Sequence, residues 1–393
     1  MRILLLHNYY QHSGGEDAVV EQEKTLLQIK GHEVRLLSSD NNSITGRYTQ
    51  IASALNATYS RESRVRVENE ISAFRPDVAH VHNFFPLLSP SVYYACRATG
   101  TPVVQTLHNF RLICPNGLLL RKAKPCEDCV GKAVPWPGVV HGCYRDSRLA
   151  TAAVAAMTAG HWLCGTWSKV NAYIALTNFA RQKLIDGGLP IDRLFVKPNF
   201  ILPGSVGTRT PGGFALFVGR LSPEKGLSTL FAAWRRMAPE RKLKIAGDGP
   251  LDSLLRASVE ESNNVEFLGY SDGNDVLTLM LQASFLIVPS ECYEGFPRVI
   301  AEAFAQGLPV LGSRLGSIQE LIEQRRTGML FEPGNAESLA ETAEWLFTHS
   351  TELEQMSAAA RLEFDQKYTA DRNYSLLMEI YEQALNGSAK HVS

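Results

Sequence analysis

Phe214-Ala215-Leu216-Phe217-Val218-Gly219-Arg220-Leu221-Ser222-Pro223-Glu224-Lys225-Gly226-Leu227 is the stretch on which the fold turns. Its unbroken apolar start predicts a strand buried on both faces, the habit of parallel sheets. The glycine that follows, and a second one opening the next helical segment, predict a tight strand-to-helix turn. Arg220 and Lys225 lie in that turn. A helix start offers free backbone N–H groups and the positive end of the macrodipole, so two cations beside it make an anion site suited to a diphosphate. Arginine grips phosphate oxygens with paired hydrogen bonds, and lysine adds a mobile point charge. Either residue alone would read as an ordinary surface cation. Gly219 and Gly226 tip the reading toward an anion site, because close backbone approach to phosphate favours residues without side chains.

Outward from this turn, apolar runs alternate with helix-length segments. Toward the C-terminus the strand candidates are Lys242–Ala246, Val265–Leu268, Phe285–Val288, Pro309–Gly312 and Met329–Phe331. Toward the N-terminus they are Arg2–Leu6, Glu33–Leu37, Asp77–Val81, Pro102–Thr106, Ala172–Leu176 and Leu194–Lys197. That order predicts an α/β protein with two doubly wound parallel sheets, with ligand loops beyond the carboxyl ends of the strands. Pro198 to Gly213, rich in proline and glycine, breaks the rhythm and reads as a linker. The expected domains are 1–203 and 204–370, followed by a closing helical segment, 371–393.

A chain of 393 residues, 45% hydrophobic and 20% charged, is long enough for two cores. A formal net charge of -1 gives no broad footprint for nucleic acid. The apolar run after Met1 is too short for a signal peptide, so a cytoplasmic location is expected. Leu149 to Gly165 carries no charge and is shorter than the ~20 residues of a membrane span. It reads as a buried helix, with a helix lying on a membrane surface as the alternative, which would make the protein peripheral at the inner face.

Pro289-Ser290-Glu291-Cys292-Tyr293-Glu294-Gly295-Phe296-Pro297 follows a strand candidate and leads into the helical Val299 to Ala305. Glu294 falls at the helix entrance and Glu302 two turns further on, so the two carboxylates can bind separate hydroxyls of one extended ligand. Alanines and apolar residues bracket Glu302, which predicts a buried carboxylate needing partners such as a ribose diol.

These two glutamates, set in Glu-Gly-Phe-Pro…Glu-Ala-Phe-Ala, together with Gly-Arg-Leu-Ser-Pro-Glu-Lys-Gly and Gly247-Asp248-Gly249-Pro250, closely resemble the signature of the family 4 retaining glycosyltransferases of GT-B fold. Gly307-Leu308-Pro309-Val310 and Gly316-Ser317-Ile318-Gln319-Glu320 resemble the family's next block. The resemblance covers most of the second domain and, more loosely, much of the first. It implies two Rossmann-like domains facing across a cleft, a nucleotide-sugar donor such as a UDP- or GDP-sugar, and hexosyl transfer with retention. It further implies that Arg220 and Lys225 bind the diphosphate, that Glu302 bonds the ribose, and that Glu294 with Gly295 and Phe296 holds the transferred sugar. Gly219, Gly249 and Val299 belong to the same donor-binding blocks. The C-terminal helix, about Asp371 to Leu385, is expected to pack back on the first domain.

In the first domain, Asn8 to Glu16 is a glycine-bearing loop opening a helix. The resemblance assigns Gly14 and Gly15 to donor contact. His108, at a strand end in Thr106-Leu107-His108-Asn109, fits the family's active-site histidine. A histidine satisfying a loop hydrogen bond is the alternative. His80 and His82 have strand spacing and face one way. They read as structural or cleft-lining, with Asn83 beside them as a candidate acceptor contact.

Cys114, Cys126, Cys129 and Cys143 fall in an insert, about 110–145, too poor in apolar residues to fold on its own core. Four thiolates from one loop-rich insert suit a closed structural zinc site, while unbound cysteines are the plain alternative.

In transfer, negative charge builds on the departing diphosphate, where Arg220 and Lys225 meet it. No cofactor is then required for catalysis. The acceptor is expected to be a glycan, a lipid-linked glycan or a small molecule of cell-surface polysaccharide synthesis. The alternatives are a nucleotide-sugar epimerase or phosphorylase on the same fold, or a non-catalytic sugar-nucleotide-binding subunit.

Overall fold

A computed structural model describes residues 1–10, 14–41, 56–202, 207–253, 255–256 and 263–389. The chain forms two compact units: Met1–Leu119 with Cys126–Leu202 and Ala370–Ser393, and Pro203–Thr369 with Leu120–Pro125. Gln11, His12 and Ser13 of the glycine-bearing loop, and residues 203–206 of the expected linker, lie outside the described residues.

The first unit holds β1 (Arg2–Tyr9), β2 (Glu33–Asp40), β3 (Val78–Val81), β4 (Val103–Leu107), β7 (Ala172–Ala175) and β8 (Leu194–Val196), while the two-residue strands β5 (Leu120–Arg121) and β6 (Lys124–Pro125) form an antiparallel hairpin that groups with the second unit. Its six parallel strands run in the order β2-β1-β3-β4-β7-β8. The reversal of order at β1 and β3 is the signature of a doubly wound sheet, with the loops at the carboxyl ends as its ligand face. β1 runs three residues past the expected Leu6. His7 and Asn8 are wholly buried, and each has a partner that makes this tolerable: His7 Nε2 lies 2.8 Å from Asp17 Oδ1, and Asn8 Nδ2 donates to Asn41 Oδ1.

The C-terminal helix Ala370–Ala389 is a layer of this first unit. Leu377, Ile380, Tyr381 and Ala384 pack with Ile3, Leu5, Val78, Val104 and Ile174 in one core. Each large side chain so buried contributes about 2 kcal/mol. The uncharged stretch forms the helix Arg148–Leu163, whose Val154, Ala155, Met157 and His161 are buried while Leu149 and Leu163 at its ends are exposed. Among the described residues no helix is long and apolar enough to cross a membrane.

The second unit holds β9 (Phe214–Val218), β10 (Lys242–Ala246), β11 (Val265–Gly269), β12 (Phe285–Val288), β13 (Val310–Ser313) and β14 (Gly328–Phe331) in the order β11-β10-β9-β12-β13-β14. β9 pairs with both β10 and β12, so the turn from Gly219 to Gly226 stands at the switch point of the sheet.

Candidate functional site

After β9 the chain makes a short 3-10 turn, Pro223–Lys225, before the helix Leu227–Trp234. Gly226 between them has φ +70°, and a Cβ there would stand 1.9 Å from the carbonyl oxygen of Pro289. The β10 turn is as close: a Cβ on Gly247, φ +149°, would stand 1.9 Å from Gly219 O. Both contacts are backbone to backbone, so neither position accepts a side chain without moving a strand end. Gly249 sits against Leu221 in the same way, and Leu221 N donates to Asp248 O.

These close approaches bring predicted residues together. Lys225 Nζ donates to Glu294 Oε2 at 2.8 Å, across the gap between the β9 turn and the loop after β12. Burial opposes the charge on Lys225, but the Glu294 carboxylate outweighs it and raises the lysine above its usual range. Ser290 Oγ donates to the other oxygen of Glu294, Glu291 N to Glu224 O, and Thr229 Oγ1 to Glu291 Oε1. On the far side Ser313 Oγ donates to Ser290 O and Ser317 Oγ to Gly295 O. The glutamate loop is therefore pinned to the ends of both neighbouring strands. Sequence reasoning missed Ser290, Glu291, Ser313 and Ser317. Ser290, Glu291 and Ser317 had a visible signal, since they lie in the strand-to-helix segments 289–297 and 316–320, whereas Ser313 had none.

Arg220 is exposed at the turn, Phe296 is buried edge-on to Tyr368, and Val299 is half-buried on the helix Arg298–Ala305. Glu302 corrects the reading. It is not a buried carboxylate lacking partners: its side chain is 30% exposed and ion-paired at 2.9 Å with Arg298, one turn earlier on the helix.

In the first unit Gly14 caps the helix Gly15–Ile29 and donates its N–H to Asp17 Oδ2. A Cβ at Gly14 or Gly15 would meet nothing within 4 Å among the described residues, so packing does not demand glycine at either position. Asn83 is not a side chain awaiting an acceptor: it is buried, donating to Asn8 O and accepting from Phe85 N.

His108 leads into a buried polar cluster. Its ring stacks on His82 at 5.4 Å between centroids, with Nε2 3.1 Å from His82 Nδ1. His82 Nε2 and His80 Nδ1 lie 3.2 and 3.0 Å from Glu23 Oε1, and Lys197 Nζ lies 2.8 Å from Glu23 Oε2. Glu23, His80 and His82 are the one group among the described residues with three such ligand atoms within 4.8 Å. The ammonium of Lys197 already neutralises that carboxylate, so the group is an ion pair with two imidazoles. Burial would raise the Glu23 carboxyl, but Lys197, His80 and His82 hold it well below the usual range. Burial, with His80 beside it, pushes His82 down to about 3, and burial with His82 lowers His108.

An imidazole held neutral by folding makes the protein acid-labile. The unfolded chain takes up a proton near the ordinary histidine value and the folded chain does not, so stability falls as pH drops below that value. For His82 alone the loss from pH 7 to pH 5 is about 2 kcal/mol. Calorimetric melting should show the first unit weakening over this window and the dependence flattening in His82→Phe. Melting indifferent to pH in the wild type would contradict this account.

The cysteines of the insert are neighbours rather than an assembled ligand shell. Burial pushes the Cys129 thiol up to about 11, with Cys114, Cys143 and Cys126 adding to it, yet no three of the sulfurs lie within 4.8 Å of one another. Cys114 Sγ donates to Asn116 Oδ1, and Cys126 N to Leu119 O.

Two parallel, doubly wound units with the second unit's glycine turns set at its switch point define a GT-B protein. Comparison with known proteins agrees. The family description "Glycosyl transferases group 1" matches residues 203–363 and "Glycosyltransferase Family 4" matches residues 13–203. The chain belongs to this group 1, family 4 glycosyltransferase family. An uncharacterised glycosyltransferase of Methanocaldococcus jannaschii is 31% identical over 43% of this chain and 48% of its own length. A protein of the cps region of Klebsiella pneumoniae is 24% identical over 82% of this chain and 87% of its own. The chain spans about half the length of the first curated relatives it matches. Among solved structures, Anabaena HepE in complex with UDP superposes with TM-score 0.66 at 17% identity, covering 96% of this chain and 99% of that one. Sucrose-phosphate synthase of Thermosynechococcus elongatus superposes with TM-score 0.72 at 16% identity, covering 98% and 99%.

Proposed function

We propose that the protein is a retaining glycosyltransferase that moves a sugar from a nucleoside-diphosphate sugar to a glycan or lipid-linked acceptor of cell-surface polysaccharide synthesis. The observation that carries this reading is the Lys225–Glu294 pair at 2.8 Å, set between two strand ends, with Arg220 exposed in the same turn as Lys225. A cation held next to a carboxylate at a switch point suits a ligand with an anionic diphosphate joined to a polyhydroxylated ring. Relatives support the direction: HepE is described with UDP and UDP-glucose, and an amylovoran biosynthesis glycosyltransferase of Erwinia amylovora is 26% identical over 53% of this chain.

In this reading the bond between the anomeric carbon and the phosphate oxygen breaks and the acceptor oxygen bonds to that carbon on the same face. The acceptor's proton passes to the departing phosphate. Arg220 and Lys225 take up the charge that collects there, so transfer proceeds without a divalent metal. Glu294 and the backbone at Gly295 and Phe296 hold the sugar, and Glu302 meets the ribose. Calorimetry against UDP-, GDP- and ADP-sugars, then assay with the bound donor in chelator, tests this. Tight binding, slow donor hydrolysis and a retained anomer in the transfer product are expected; binding with no turnover under any acceptor would reduce the protein to a carrier.

The cysteine insert carries a second proposal, that Cys114, Cys126, Cys129 and Cys143 bind structural zinc. Its support is that Cys129 has all three other sulfurs as electrostatic neighbours in a segment with little core of its own. Elemental analysis should find one zinc per chain in the wild type and none in Cys126→Ser/Cys129→Ser. Zinc-free protein from both would end the idea.

A further inference from the structure

Glu23 is a fully buried carboxylate on the helix Gly15–Ile29, and nothing in the transfer reading uses it. It stands at the head of a line of side chains leading to His108. Lys197 from the end of β8 holds one oxygen at 2.8 Å; the other oxygen faces His80 Nδ1 at 3.0 Å and His82 Nε2 at 3.2 Å. Behind His80 stand Tyr381 and Thr106, each 2.8 Å from one ring nitrogen. His7, whose ring lies 6.5 Å from His82, is turned to Asp17. Lys197 and His80 thus hold Glu23 in place where His82 meets it.

Elementary bonding rules assign the protons along this line. An ionised carboxylate only accepts hydrogen bonds. Glu23 Oε1 and His82 Nε2 are both buried and face each other at 3.2 Å, with His80 Nδ1 approaching the same oxygen at 3.0 Å and no other polar group among the described residues answering His82 Nε2. A bare lone pair on His82 Nε2 would set two acceptors against each other where no water can intervene, a costly arrangement. The proton of His82 therefore sits on Nε2, which leaves Nδ1 as a lone pair. That lone pair lies 3.1 Å from His108 Nε2, which must supply the proton between them. His108, carrying one proton as a neutral imidazole, is left with a bare Nδ1.

We propose that Glu23 and His82 are positioning residues that lock His108 in the Nε2–H tautomer, so that its Nδ1 presents a lone pair to accept a hydrogen bond from a substrate hydroxyl. The hydroxyl rests on the transferase reading; the tautomer does not. An imidazolium beside the Lys197 ammonium is disfavoured, in keeping with the lowered His82 and His108. His108 then serves as a hydrogen-bond acceptor and not as an acid toward the leaving group.

The test is long-range proton–nitrogen spectroscopy of the whole chain labelled with 15N-histidine and free of ligand, with His108 assigned by its loss in His108→Gln. The expected result is an unprotonated Nδ1 and a protonated Nε2 at pH 7, unchanged at pH 6. His82→Phe keeps a ring to stack on and removes the acceptor, so the His108 nitrogens should move toward an average of both tautomers. Removing both charges of the buried pair, with Glu23→Gln and Lys197→Met together, should do the same while avoiding a stranded ammonium. A wild-type His108 protonated on Nδ1, or an Nε2–H tautomer unmoved by His82→Phe, would overturn the proposal. No turnover is measured, so that failure leaves the transferase reading where it stood.

Discussion

Replacing Lys225 by alanine is expected to lower kcat/KM for a nucleotide-sugar donor by about a thousandfold, equivalent to about 4 kcal/mol of transition-state stabilisation. Two losses combine. The departing diphosphate loses a cation, and Glu294 loses the ammonium that pairs with it at 2.8 Å. The half-buried carboxylate then lies beside the phosphates with nothing to offset it, and like charges there repel the donor. Because the two residues act together, Glu294→Gln should cost less in the Lys225→Ala background than in the wild type, and that non-additivity is the signature to measure. Adding Arg220→Ala should remove most of what remains. Lys244→Ala, which breaks a solvent-accessible pair between β10 and Glu266 of β11, is the control and should leave turnover alone. Lys225→Ala within tenfold of wild type, with its melting point preserved, would mean that this turn is not where the donor's charge is met.

The sheets were readable because buried parallel strands leave uninterrupted apolar runs. β12, Phe285–Val288, is buried at every position and was legible as it stands. β1 was cut short at Leu6 because His7 and Asn8 look like the start of a loop, and their partners Asp17 and Asn41 are visible only once the chain has folded. The site divides along the same line. Turn residues such as Gly226 carry their signal locally, in a dipeptide that stops one element and starts the next. The Lys225–Glu294 pair joins segments 69 residues apart, and the Glu23–Lys197 pair segments 174 apart. His80 and His82 were rightly placed on one face of a strand, yet their meaning depends on a glutamate from a distant helix. Glu302 was misread for a different reason. Its apolar neighbours suggested burial, while Arg298 four residues back, in plain view at helical spacing, already supplied its partner.

Gly226→Ala is the substitution expected to do most damage to the second unit. Its φ of +70° costs an alanine about 1–2 kcal/mol on conformational grounds alone. The larger penalty is steric: the methyl carbon would stand 1.9 Å from Pro289 O, a backbone atom at the end of β12 that no rotamer can move aside. Relief requires the β9 turn and the loop after β12 to separate, which also pulls apart the Glu291–Glu224 backbone bond and the Lys225–Glu294 pair. Together these should destabilise the unit by about 3–5 kcal/mol, which is roughly 10 °C in melting temperature for a domain of this size. Donor affinity should fall with it, because the strand ends that carry the cation and the carboxylate no longer meet. Gly15→Ala makes the contrast, since a Cβ there meets nothing within 4 Å among the described residues and the melting temperature should hold. Calorimetric scans of the two variants decide the point. If Gly226→Ala melts like the wild type and still binds donor, the close approach of these two turns is not what builds the site.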